Sequence, residues 1–227
     1  VLVSFGGDYV SANVNCQGLS AGLVPWSMDS PRNPASDYTG PEFYGGAVVD
    51  NDGGGSGGWA QWRLVQSGPP DYLNSQKATS VQPGDKGTTV VMFKLAVHYA
   101  VTGASVRIAQ YNASQINAFR IVAQGADDLF YVSDATSFDW DNTFVLDTSA
   151  LMWHAYDPAT NMSAIGAAAV WEPLDVQAVG VWAQNTATAG QLGIYLRGFE
   201  AAGTDAVPEP ALFLPLLAGL LLRRRAA

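Results

Sequence analysis

Val90-Val91-Met92-Phe93-Lys94-Leu95-Ala96-Val97-His98-Tyr99 decides how the rest of this chain is read. Every second residue is apolar. Val91, Phe93, Leu95, Val97 and Tyr99 share one face, and Met92, Lys94, Ala96 and His98 share the other. A period of two is the signature of a strand with one face on a core. The pattern therefore predicts that Val91, Phe93, Leu95 and Val97 are buried and that Lys94 and His98 are exposed.

The same pattern recurs on both sides. Residues 117–124 alternate, with Phe119, Ile121 and Ala123 opposite Arg120 and Gln124. Gly125-Ala126-Asp127-Asp128 then turns the chain into 129–133, which predicts a hairpin. A second pair is expected from a strand at 176–184, a polar loop at 185–190 and a return strand at 191–201. Shorter strands are expected at 1–5, 9–15, 47–50, 59–66, 105–111, 143–147, 152–156 and 166–171. About a dozen short strands between Gly, Asn, Asp and Pro turns predict an all-β chain, an antiparallel two-sheet sandwich with jelly-roll-like winding. Helical periodicity is scarce in this part of the chain. The expected organisation is a sandwich over 1–200, a small-residue linker over 201–206 and a distinct C-terminal segment over 207–227.

That segment opens with Val207-Pro208-Glu209-Pro210, continues as an apolar run over 211–222 and ends in Arg223-Arg224-Arg225. A twelve-residue helix covers about 18 Å, against about 30 Å of bilayer hydrocarbon. Snorkelling arginines and local thinning allow so short a run to anchor. Positive charge marks the cytoplasmic side, so the C-terminus is expected inside and the sandwich outside. The segment resembles the PEP-CTERM sorting signal of Gram-negative bacteria. Its Val-Pro-Glu-Pro opening, short apolar helix and arginine-rich end stand here in order. The resemblance implies recognition by an exosortase, processing near Pro208-Glu209-Pro210, transient inner-membrane anchoring through a separate C-terminal helix, and then delivery to the cell surface or extracellular matrix. Pro215 departs from a plain apolar helix, where it imposes a kink. The chain does not begin with Met, and a secretory signal is expected to have preceded Val1.

Two stretches of the sandwich are similar to what recurs in such surface proteins and in carbohydrate-binding jelly rolls. One runs from Phe119-Arg120-Ile121-Val122 to Leu129-Phe130-Tyr131-Val132-Ser133. The other runs from Asp175-Val176-Gln177-Ala178-Val179-Gly180-Val181 to Ile194-Tyr195-Leu196-Arg197-Gly198-Phe199-Glu200. This resemblance implies a fold and transfers no site.

Charge narrows the function classes. The 227 residues carry a formal charge of −9, which becomes about −11 when the three terminal arginines and Glu209 are set aside. Such a surface repels phosphate backbones, so no nucleic-acid partner is expected. The single cysteine, Cys16, cannot form an internal disulfide, and Asn13-Val14-Asn15 before it is not a lipobox. It reads as a small buried apolar residue.

No catalytic constellation emerges. Gly54-Gly55-Ser56-Gly57-Gly58 matches a nucleophile elbow only formally, because strand rather than helix is expected after it. His98 and His154 lack metal-ligand spacing. The glutamates before the tail are Glu42, Glu172 and Glu200, and they form no strand-borne pair of the kind glycosidases use. The expectation is therefore a non-enzyme, with a secreted glycan-active hydrolase as the alternative. The aspartates suit loops or a structural calcium ion. Asp50 and Asp52 with Asn51 and Gly53 form one oxygen-rich turn, and Asp139, Asp141 and Asn142 form another. Neither completes an EF-hand.

Seven tryptophans invite a sugar-binding reading, since sugar rings stack on exposed indoles. Trp140 between Asp139 and Asp141 is the first candidate platform, and Trp182 with Gln184 and Asn185 is the second. Trp59 and Trp62 lie on opposite faces if extended. The sequence thus points to an exported surface or matrix protein with a polysaccharide as its candidate partner.

Overall fold

A computed structural model of the chain describes residues 3–5, 13–14, 24–26, 43–50, 61–65, 72–77, 84, 86–110, 114–137, 139, 142–161, 163–188 and 192–206. The expected sorting signal at 207–227 lies outside these residues, as do Cys16 and Ser56. Among the described residues no helix is long and apolar enough to cross a membrane.

Fourteen strands are described: β1 (Val3–Phe5), β2 (Asn13–Val14), β3 (Val24–Trp26), β4 (Phe43–Asp50), β5 (Gln61–Val65), β6 (Tyr72–Lys77), β7 (Lys86–Gln110), β8 (Ser114–Gly125), β9 (Phe130–Ser133), β10 (Thr143–Asp147), β11 (Trp153–Tyr156), β12 (Ala168–Ala169), β13 (Val176–Ala187) and β14 (Leu192–Asp205). One 3-10 turn, Thr148–Ala150, follows β10. All pairings are antiparallel, and the main order is β12-β11-β9-β8-β13-β7-β14-β6-β5-β2. The strands form one curled 14-stranded sheet, where two separate sheets were expected.

The reason lies in β7. Residues 90–99 and 105–111 were read as separate strands, but β7 runs for 25 residues through both. A straight strand of that length spans about 80 Å, far more than a domain of this size allows, so β7 bends. Its first part, residues 86–94, lies between β4 and β13. Its second part, residues 99–110, pairs with β14, and residues 103–107 also pair with β10. The bend sits where Tyr99 pairs with Val176 and Lys94 pairs with Ala178, leaving residues 95–98 opposite Gln177 alone. Strands that change layer at a sandwich corner do so through irregularities of this kind.

The corner corrects the reading of 90–99. Val91 and Phe93 are buried and Lys94 is exposed, as the alternation requires. Val97 was expected inside, yet it is 55% exposed, because the two-residue period stops at the bend. Met92 was assigned to the polar face and is fully buried. The first part of β7 has apolar cover on both faces, so Val90-Val91-Met92-Phe93 behaves as the continuous apolar run of a central strand.

The two halves close over a core that includes Val91, Phe93, Phe119, Ile121, Val181, Leu196 and Phe199. Phe93 on β7 stacks on Phe199 of β14, and Phe119 on β8 meets Phe144 of β10 at 5.0 Å. A second cluster of Val90, Met92, Val122, Val132, Tyr156, Ala178 and Trp182 occupies the opposite face of β7, β8, β9, β11 and β13. Ile165, from the segment after β11, packs against it. Close approach of β13 to β7 demands glycine at 180, where a Cβ would sit 1.9 Å from the Val91 carbonyl oxygen.

The hairpin expected around Gly125-Ala126-Asp127-Asp128 is present as β8 and β9. Asp128 takes the left-handed backbone (φ 63°), a conformation Asp tolerates better than most residues. The second expected pair is not a hairpin. Strands β13 and β14 both pair with β7, one at each half. Nor is 201–206 a linker. Strand β14 continues to Asp205, and Ala201 is fully buried between Val3 and Ala104. Small side chains here serve close packing. Strands β3 and β6 were not anticipated.

Candidate functional site

Strands β9 and β11 pair so that Phe130 stands opposite Tyr156. Both side chains point to the second cluster. After Tyr156 the chain leaves the sheet through Asp157-Pro158-Ala159-Thr160-Asn161. The Asp157 carboxylate organises this turn. Oδ1 accepts from the Ala159 and Thr160 backbone N–H groups at 3.0 and 3.2 Å, and Oδ2 accepts from the Thr160 hydroxyl at 2.6 Å. The Thr160 hydroxyl, with the N–H groups behind it, holds the Asp157 carboxyl below the usual carboxylate range. Asn161 Oδ1 accepts from Ser163 N at 2.9 Å. The Ser163 hydroxyl meets that of Thr88 on β7 at 2.8 Å. The segment returns beside β11, where Gly166 N donates to Ala155 O at 2.9 Å.

Between this segment and the sheet edge lies a cleft of about 310 Å³. Its apolar part is Leu129, Phe130, Tyr156 and Ile165, and its polar rim is Asp157, Thr160 and Asn161. An apolar floor with a few placed polar groups is the usual composition of a ligand site, at the small end of the usual size range. Sequence reasoning missed it. The Asp-Pro turn signature at 157–158 was legible, but the return of 163–166 over the sheet was not.

Tyr156 is fixed from below. Its hydroxyl accepts a hydrogen bond from the Trp182 indole, and burial pushes its pKa far up. Trp182 was a candidate sugar platform. It is only 3% exposed, with the Arg120 guanidinium 5.5 Å from its ring centre. Burial lowers the Arg120 pKa, against the pull of Asp134, while Nη1 donates to Ser133 O at 2.7 Å. Asn185 is likewise buried. Trp182 and Asn185 are both enclosed, because β13 is a central strand with both faces covered.

The other predicted positions fall apart from the cleft. Trp140, Asp141 and Asp52 lie outside the described residues. Asp139 is exposed and accepts from the Asn142 side chain. Asp50 ends β4 opposite Lys86. Among the described residues no group of three His, Cys, Asp or Glu could hold a metal ion. His98 pairs with Asp175 at 2.9 Å and His154 with Asp134 at 2.7 Å, so each histidine is held by a carboxylate and the two are not together.

A second aromatic group lies at the hairpin end. Trp171 stacks on Tyr131 at 4.1 Å and meets Trp153 edge-on at 4.9 Å. The Tyr131 hydroxyl donates to Asp127 Oδ2 at 3.1 Å. Burial first, and the Asp127 carboxylate second, raise the pKa of Tyr131. Gln177 ties the hairpin down by donating to Asp128 Oδ1 and Gly125 O at 2.6 and 2.8 Å. These carboxylates serve the turn.

No family model matches this chain, and no curated protein matches it. Among solved structures it is similar to a family 11 carbohydrate-binding module from Clostridium thermocellum in complex with a beta-1,3-1,4-mixed-linked tetrasaccharide. That likeness has a TM-score of 0.39 at 10% identity, over 88% of this chain and 100% of the other. It is also similar to the family 11 module of a cellulosomal cellulase of Clostridium thermocellum, with a TM-score of 0.37 at 10% identity over 89% and 100%. Likeness at this level brings no ligand to this chain.

Proposed function

We propose that this chain is an exported, exosortase-sorted protein of the cell surface or extracellular matrix, whose jelly-roll-like sandwich binds polysaccharide without cleaving it. The observation that carries the binding reading is the cleft, with Phe130 and Tyr156 at its apolar side and Asp157, Thr160 and Asn161 at its rim. Pyranose rings have apolar C–H faces and hydroxyl edges, and this surface offers a partner to each. The sorting reading rests on Val207-Pro208-Glu209-Pro210 and Arg223-Arg224-Arg225.

Hydrolysis is disfavoured by the chemistry of the rim. Glycosidases use two carboxyl groups, one of them with a raised pKa to serve as acid. Among the described residues the cleft is lined by one carboxylate, Asp157, and its hydrogen bonds shift it the other way.

A glycan array probed with the full chain in mild detergent tests the binding. Retention of at least one polysaccharide without release of reducing ends is expected, and release of reducing ends would replace binding with hydrolysis. Fractionation of the tagged chain in hosts with and without an exosortase tests the sorting. Processing should require the enzyme and should fail when Arg223, Arg224 and Arg225 are made neutral. Identical processing in both hosts would remove the sorting reading.

A further inference from the structure

The charge around the cleft narrows the polymer class, on the premise that the polysaccharide reading above holds. The ionisable side chains lining it are Tyr156 and Asp157. Burial keeps the Tyr156 hydroxyl protonated, and the turn keeps Asp157 ionised. Among the described residues no lysine, arginine or histidine lines the cleft. Its lip is Leu129, 58% exposed, while Asp127 and Asp128 before it are engaged by Tyr131 and Gln177 and the Arg120 guanidinium lies over Trp182, outside the lining. Asp157 is therefore the charged group of the cleft, in a chain that is itself negative.

We propose that the cleft takes a neutral glycan chain and turns away polymers carrying uronate, sulfate or phosphate. A neutral ring lays its C–H face on Phe130 and Leu129 and directs its hydroxyls at the rim. A carboxylate has about four lone-pair sites. The turn uses three of them on Asp157, so the group still accepts from a sugar hydroxyl. A uronate in the same place presents a second anion to Asp157 with no cation between them. Shape agrees with charge. About 310 Å³ suits one or two rings of a chain rather than a protein side.

Affinity electrophoresis of the full chain in mild detergent provides the test, with hydroxyethyl cellulose as the neutral polymer and alginate as the uronate. The neutral polymer should retard the chain and alginate should not at low ionic strength, where like-charge repulsion is screened least. Phe130→Ala should weaken the neutral interaction at least tenfold. Leu129→Arg changes an exposed lip residue and leaves the core intact. It should weaken retardation by the neutral polymer several-fold and introduce retardation by alginate. Retardation of the unmodified chain by alginate overturns the charge argument and leaves polysaccharide binding standing. Retardation by the neutral polymer that neither substitution alters places the site elsewhere and overturns the inference alone. Retardation by neither polymer overturns this inference and the binding reading together.

Discussion

Phe93 and Phe199 stack with ring centroids 5.2 Å apart and planes 9° from parallel, joining β7 of one layer to β14 of the other. Both rings are almost wholly buried. The contact holds the curled sheet closed, because these two strands pair with each other only beyond the bend, at residues 99–110 of β7.

Removing either ring opens a cavity between the layers. Phe199→Ala should cost about 3–5 kcal/mol, and Phe199→Leu clearly less, since a smaller void is left. Urea unfolding followed by tryptophan fluorescence measures both. Equal costs would show that the stacked ring, rather than the volume it fills, sets the stability.

The corner in β7 predicts opposite responses six residues apart. Val97→Thr should change stability by less than about 0.5 kcal/mol, as surface substitutions do. Val91→Thr places a hydroxyl in the core and should cost about 1–3 kcal/mol. If Val97→Thr cost as much as Val91→Thr, the simple alternation would hold and the corner would not.

Trp182→Phe keeps a ring beneath Arg120 and removes the donor to the Tyr156 hydroxyl. A loss of about 0.5–1.5 kcal/mol is expected from the missing hydrogen bond. Trp182→Ala should lose about 3–5 kcal/mol through the cavity as well. Thermal melts of the two variants, compared with the parent, separate the contributions.

Acid should loosen the turn beside the cleft. The Asp157 carboxyl titrates lower in the folded protein than its unfolded value of about 3.9. Its contribution to stability is therefore fully present above about pH 4 and is lost as pH falls through the folded value. Asp147, held down by the Ser149 hydroxyl and backbone, follows the same course. Asp157→Asn should flatten the fall in stability between about pH 5 and pH 2, measured by urea midpoints at each pH. An unchanged slope would mean the carboxylate charge is not what the turn stabilises.

Much of the architecture was legible because period-two patterning is local. The hairpin at Gly125-Ala126-Asp127-Asp128 and the strands around 143–147 and 152–156 follow from alternation and turn chemistry alone. Strand β3 (Val24–Trp26) escaped because three residues carry no period, and β6 (Tyr72–Lys77) because its Asn-Ser-Gln interior mimics a loop. Trp182 and Asn185 were misplaced for a different reason. A polar neighbour in sequence suggests exposure, whereas a central strand buries both faces.

Alternating apolar residues and Gly and Asp turns already determine an antiparallel β chain, since each of these acts over a few residues. Only the tertiary structure decides that residues 86–110 are one bent strand shared by both layers, that Ala201 is core rather than linker, and that Phe130, Tyr156 and Asp157 meet the returning segment at 163–166 to form a cleft. Those outcomes depend on which distant strands pair. Pairing is settled by burying two apolar faces at once, a constraint that belongs to the assembled sheet and not to any stretch of sequence.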